Sequence, residues 1–141
     1  MSASRVQVGV SETGDTPFSV RIDVGDHVLT GDEPVEIGGG GTGPSPYQLL
    51  AAALAECSVM TVRWFARQRG WPLEHVAVDV AWMRKIPSGA AKSADVFTKT
   101  VHLRGDALTA EQRRRLVEIA ASCPVHRTLE GMPVIETIID V

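Results

Sequence analysis

Hydrophobic and polar residues alternate with a period of two along several stretches of this chain, and one long stretch between them does not. Val6, Val8 and Val10 alternate with Gln7 and Gly9, and Phe18, Val20, Ile22 and Val24 alternate with Ser19, Arg21 and Asp23. That is the pattern of a half-buried strand. Glu12 to Pro17 is rich in turn formers, and Gly25-Asp26 turns the chain into a third strand over His27 to Thr30. His75 to Ile86 alternates again, with Val76, Val78, Val80 and Trp82 on one side. Ala94 to Arg104 returns, with Phe97, Val101 and Leu103 facing away from Val96, Thr98, Thr100 and His102. The small polar residues from Lys85 to Ala94 read as the hairpin loop, and Val134 to Val141 predicts a last strand.

The exception runs from Ser45 to Gly70. Ser45 with Gln48 fits a capping box, and Pro46 suits the first helical position. Gly70 suits the left-handed residue past a helix end, Pro72 prevents continuation, and Arg63, Arg67 and Arg69 load positive charge onto the last turns. These signals predict a helix over 46–69, about 36 Å long at 1.5 Å per residue. From Leu49 to Ala55 it has no polar side chain, so it is expected to be covered on all sides, in a core or between subunits. Thr109 with Gln112 marks a second helix, with Leu116, Ile119 and Ala120 as its stripe. Cys123-Pro124 ends it and starts a short one to Leu129, stopped at Gly131. The order is strands within 4–31, helix 46–69, strands within 75–104, helices within 110–129 and a strand at 134–141. That is an α+β domain spanning residues 1–141 with a mostly antiparallel sheet wrapped around a long central helix.

Composition narrows the function classes. A formal net charge of −3 gives no electrostatic reason to expect nucleic acid or an anionic membrane. No uninterrupted apolar run approaches a membrane span, and the first residues lack the apolar core of a signal peptide. With two cysteines, the expectation is a reducing cytoplasm without a lasting structural disulfide. The Gly38–Gly43 tract matches G-x-G-x-x-G, but no lysine follows, and Arg63 rather than an acid stands about 20 residues beyond. It reads as a mobile connection into the helix, not a nucleotide site.

The candidate chemistry lies in the two cysteines. Cys57 follows the apolar run inside the long helix, with Glu56 beside it. Cys123 sits where Pro124 starts a helix, a place that lowers a thiol's pKa. Each is equally compatible with a small buried hydrophobe. Cys123-Pro-Val-His126 has half of a zinc spacing, but His27, His75 and His102 are isolated, so no metal is expected. Three residues in a turn also make an awkward thiol–histidine hydrolase pair.

The Asp32-Glu33-Pro34 turn, the segment Gly43-Pro-Ser-Pro-Tyr-Gln-Leu-Leu-Ala-Ala-Ala-Leu-Ala-Glu-Cys57, Gly70-Trp-Pro-Leu-Glu74, Glu111 to Ala120 and Cys123-Pro-Val-His-Arg-Thr-Leu129 together resemble the OsmC/Ohr family. The resemblance covers about residues 30 to 137. It implies an intertwined homodimer whose swapped N-terminal strands help to build the sites, and a thiol peroxidase. On that resemblance Cys57 is the thiol that attacks an organic hydroperoxide and becomes a sulfenic acid. Cys123 then closes a disulfide with it, and an external dithiol, with no other cofactor, reduces the pair. A cation must face the thiolate; the resemblance implies an N-terminal arginine, with Arg21 the first candidate and Arg5 the second. The peroxidase branch of the family carries a glutamate after the helix-starting proline, where this chain has Tyr47 and Gln48. The competing reading is a non-catalytic relative that binds a small hydrophobic ligand at the dimer interface.

Overall fold

The computed structural model describes residues 5–140 of the chain. Strands and helices mix as the patterning predicts, and every strand pair is antiparallel. The chain falls into two compact units, Met1–Ala52 and Ala53–Val141, divided within the long helix.

The first unit holds β1 (Gly9–Glu12), β2 (Val20–Val24) and β3 (His27–Gly31), paired in that order. Ile22 lies opposite Val10 on one side and Leu29 on the other, and it is buried while Arg21 and Asp23 are exposed. β1 starts later than the alternation of Val6 and Val8 predicts. Its ladder runs from Gly9 opposite Asp23 to Glu12 opposite Val20; that register carries Val6 past Val24, the last residue of β2, and Val8 only to its end. The expected start at residue 4 lies outside the described residues.

The glycine tract is not the loose connection its composition suggests. Asp32, buried, accepts hydrogen bonds from the Thr42 hydroxyl at 2.7 Å, the Thr16 hydroxyl at 3.0 Å and the Gly40 and Thr42 N–H groups at 3.2 and 3.3 Å. The Glu33 N–H donates to its other oxygen at 2.8 Å. Burial alone would raise this carboxyl's pKa; the bonds from Thr42, Glu33 and Thr16 outweigh it and hold the group well below the usual carboxylate range. A Cβ at Gly39 would lie 2.0 Å from the Glu33 carbonyl oxygen, so that glycine serves close backbone packing.

Helix α1 spans Pro46–Arg69. The Ser45 N–H donates to Gln48 Oε1 at 2.8 Å and the Gln48 N–H to Ser45 Oγ at 3.4 Å, the reciprocal pair of a capping box. At the other end Gly70 takes φ +62°, its N–H bonds the Arg67 carbonyl, and the Trp71 N–H bonds the Ala66 carbonyl. Those two bonds make a Schellman stop.

In the second unit β4 (His75–Lys85) and β5 (Ala94–Arg104) form one long hairpin, followed by α2 (Ala110–Ala120) and α3 (Pro124–Glu130). Val62, Phe65 and Ala66 of α1 pack with Leu73, Val76, Leu108, Leu116 and Ala120. Burying a side chain the size of Val62 or Leu116, both fully covered, is worth about 1.5–3 kcal/mol. The Thr109–Gln112 capping box that starts α2 forms in both directions, at 3.0 Å each. By length and composition alone α1 could cross a bilayer. Its buried Val62, Phe65 and Ala66 instead make this part of it a core helix.

The sequence predicts a strand over 134–141, yet residues 132–140 have no helix or strand, and Val141 lies outside the described residues. Val134, Ile135, Ile138 and Ile139 are all more than four-fifths exposed. A strand exists only against another strand's N–H and C=O groups, and β4 and β5 pair only with each other. Met60 and Trp64 on α1 are each 51% exposed, so this part of the helix is not covered all round.

Candidate functional site

The second unit brings the two cysteines together from positions 66 apart in sequence. Cys57 lies on the partly buried side of α1, and Cys123 is the N-cap of α3 with no solvent exposure. Both thiols are free. Each thiol's acidity responds to the other, and the two sulfurs take the N–H groups of consecutive residues, Val125 and His126.

Hydrogen bonds from the backbone tie each sulfur to α3. The His126 N–H points at Cys123 Sγ at 3.4 Å, as Pro124 in the first turn leaves that amide free for the cap. The Val125 N–H points at Cys57 Sγ at 3.5 Å. One turn of helix thus supplies an N–H to each sulfur.

Ser58, fully buried next to Cys57, completes the site. Its hydroxyl lies 2.9 Å from the Leu54 carbonyl, to which it donates, and 3.5 Å from Cys123 Sγ. Lys99 of β5 donates to Ser58 Oγ at 2.8 Å and also to the Ala120 carbonyl. The register explains how a lysine reaches here. Lys99 lies opposite Val80, between the Trp82–Phe97 and Val78–Val101 pairs, so it shares the core-facing side of the hairpin.

These contacts push the thiols apart in acidity. Burial raises the pKa of both. For Cys123 the Ser58 hydroxyl, the His126 N–H, the Cys57 thiol and the Lys99 charge overcome burial and lower it. For Cys57 burial prevails over the Val125 N–H, and the neighbouring Cys123 raises it further. Of the pair, Cys123 is the thiol whose surroundings favour losing the first proton. Burial lowers the Lys99 pKa, while the charges of Cys123, Cys57 and Glu130 oppose that shift.

The other sequence candidates have partners of their own or are exposed. Arg21 is on β2 of the first unit, paired with Asp23 at 3.0 Å, both side chains about half exposed. Arg5 is exposed and reaches Gln7 Oε1 at 3.4 Å. Glu56 is exposed on α1. The His126 ring pairs with Glu130 at 3.2 Å rather than with Cys123. Among the described residues no three His, Cys, Asp or Glu side chains gather as a metal site.

Lys99 and Ser58 are the site residues that the sequence reading missed. A signal for Lys99 was present: the series Phe97, Lys99, Val101, Leu103 puts one charge in an apolar stripe, and a buried charge needs a partner. Ser58 carried no such signal, since a small polar residue in a helix is unremarkable.

No curated protein matches the chain in sequence. Solved structures share its fold. One is a protein assigned to organic hydroperoxide resistance in Vibrio cholerae O1 biovar eltor, with captopril bound in one of its active sites; it is 27% identical, 93% of this chain matches 88% of that one, and the TM-score is 0.66. The organic hydroperoxide resistance protein OhrB of Bacillus subtilis is 22% identical over 89% of this chain and 91% of its own, with a TM-score of 0.58. An OsmC-like protein of Mycoplasma pneumoniae is 17% identical over 91% and 89%, with a TM-score of 0.69. The family model described as OsmC-like protein matches residues 38–138, and the chain belongs to that family.

Proposed function

We propose that this protein is a thiol-dependent peroxidase that reduces organic hydroperoxides through Cys57 and Cys123. Membership of the OsmC-like family, with relatives named for organic hydroperoxide resistance, supports a redox, peroxidase-like role. The observation that carries the finer reading is two free thiols held by consecutive N–H groups of α3, their pKa values shifted in opposite directions.

The chemistry starts with one proton shared by the pair. Cys57, the sulfur with some solvent access, attacks the outer oxygen of the hydroperoxide, and the O–O bond breaks. The Cys57 proton passes to the Cys123 thiolate, and the departing alkoxide takes a proton from water to leave as the alcohol. Cys57 is now a sulfenic acid. The Cys123 sulfur attacks it, and hydroxide leaves with the Cys123 proton as water. An external dithiol supplies two electrons and two protons to reopen the disulfide by exchange.

In this reading a second protomer covers the bare apolar side chains of α1 and gives the C-terminal segment a strand to pair with, in a cytoplasmic homodimer. Arg21 keeps the role of a cation delivered across that interface. The test is consumption of an alkyl hydroperoxide with a dithiol donor. The parent should turn over and Cys57→Ser should not; equal rates in the two would remove Cys57 as the nucleophile.

A further inference from the structure

A thiolate without solvent exposure needs a positive charge close by, or the proton returns to it. The arginines expected to supply that charge lie in the other unit. Within the unit that holds both sulfurs, Lys99 reaches from β5 to Ser58 Oγ at 2.8 Å, and Ser58 Oγ lies 3.5 Å from Cys123 Sγ. We propose that the Lys99 ammonium, held between Ser58 Oγ and the Ala120 carbonyl, is a positioning residue that fixes the charge of the Cys57–Cys123 pair through the Ser58 hydroxyl.

The hydrogen-bond inventory supports this assignment. Serine has one hydroxyl hydrogen and two lone pairs. Here two acceptors, the Leu54 carbonyl and Cys123 Sγ, compete for that hydrogen, while Lys99 occupies a lone pair. An ammonium donating to the oxygen makes the hydroxyl a stronger donor. Ionised Cys123 draws that hydrogen to itself, so charge runs from lysine through serine to sulfur. The titratable groups facing Lys99 are Cys57 from α1 and Cys123 and Glu130 at the two ends of α3. Glu130 is exposed and already paired with His126, which leaves the thiols as the counter-charge on the buried side.

The lysine is also costly unless it does this. Its strand neighbours on the same face are Phe97 and Val101, and an uncharged side chain of similar length would pack there without loss of solvation. Ordinary packing explains Phe97 and Val101 but not a charge between them.

Ultraviolet absorbance of the thiolate near 240 nm, followed against pH, tests the idea without requiring a reagent to reach Cys123. The reduced parent, Lys99→Met and Lys99→Arg are compared, with circular dichroism to establish that each is folded. An opposite charge at this range shifts a pKa by about 1–3 units. In Lys99→Met the first ionisation should therefore move up by at least about one unit, a tenfold loss of thiolate at a pH below both midpoints, and Lys99→Arg should restore most of it. Superimposable curves for the parent and a folded Lys99→Met overturn the proposal. Should the methionine variant not fold, the arginine variant decides together with Lys99→Gln, since a purely structural lysine would leave the midpoint of any folded variant in place. The proposal rests on the peroxidase reading only for its catalytic consequence. A shifted titration in a protein whose parent consumes no hydroperoxide keeps Lys99 as the charge-setting residue and removes the peroxidase; turnover by the parent with an unshifted Lys99→Met does the reverse.

Discussion

Ser58→Ala deletes one oxygen from the centre of the site. Three contacts vanish: to the Leu54 carbonyl at 2.9 Å, to Lys99 Nζ at 2.8 Å and to Cys123 Sγ at 3.5 Å. The Leu54 carbonyl is within α1, and Lys99 still donates to the Ala120 carbonyl, so neither group is left without a partner. The stability cost should be at the low end of the roughly 1–3 kcal/mol for disrupting buried polar contacts. The contact to Cys123 is different, because it distinguishes thiolate from thiol. Hydrogen bonds to charged groups contribute about 1.5–3 kcal/mol, and 1.36 kcal/mol is one pKa unit. The first thiol ionisation should therefore rise by about one to two units in Ser58→Ala. At 3.5 Å the bond is long even for sulfur, which favours the lower figure. The assay is a thiolate absorbance titration of the reduced protein. Tyr47 is the only tyrosine, so a Tyr47→Phe background removes the one phenol that could absorb in the same range. A folded Ser58→Ala protein with an unmoved midpoint would refute the argument that this hydroxyl stabilises the charge.

Other consequences concern the frame around the site. Asp32 has a folded pKa held below its ordinary value of 3.8, so its contribution to stability is complete above that pH and declines as pH falls from about 4 towards the folded value. Denaturant titrations of the parent at pH 6 and pH 3 should show that loss, and Asp32→Asn should start less stable and lose less over the same interval. Leu116→Ala empties a fully covered place in the core and should cost about 2–5 kcal/mol by urea denaturation. In the peroxidase reading, Cys123→Ser removes the base, which slows the first attack, and leaves the Cys57 sulfenic acid without a partner; after prolonged excess hydroperoxide mass spectrometry should find Cys57 carrying two or three oxygens, where the parent stops at the disulfide.

Local signals carried much of this fold. Ser45, Gln48, Pro46 and Gly70 mark the ends of α1 through hydrogen bonds within a few residues, and Pro46–Arg69 matches that reading. The α2 cap is as legible, for the same reason, and β5 is legible from its alternation beside that of β4. What depends on distant partners was not. β1 can extend no further back than the end of β2 allows, which leaves Val6 of its alternation without a partner, and residues 132–140 alternate without a strand opposite them. The glycine tract looked mobile because its anchor, Asp32, is separated from Thr42 by ten positions. At the site, the prominence of two cysteines in recognisable contexts drew attention to Cys57 and Cys123. The resemblance implies an arginine from the N-terminal region, and it says nothing of Lys99, which meets Ser58 from a strand 41 residues further on. Its clue lay in the period of two, where a charge interrupts Phe97, Val101 and Leu103.

The most direct measurement is peptide mapping by mass spectrometry of the fully reduced protein after one equivalent of an alkyl hydroperoxide. The account predicts a peptide pair joined through Cys57 and Cys123, with a mass two hydrogens below the sum of the reduced peptides and reversed by a dithiol. Both cysteines recovered as free thiols, with the hydroperoxide unconsumed, would contradict it.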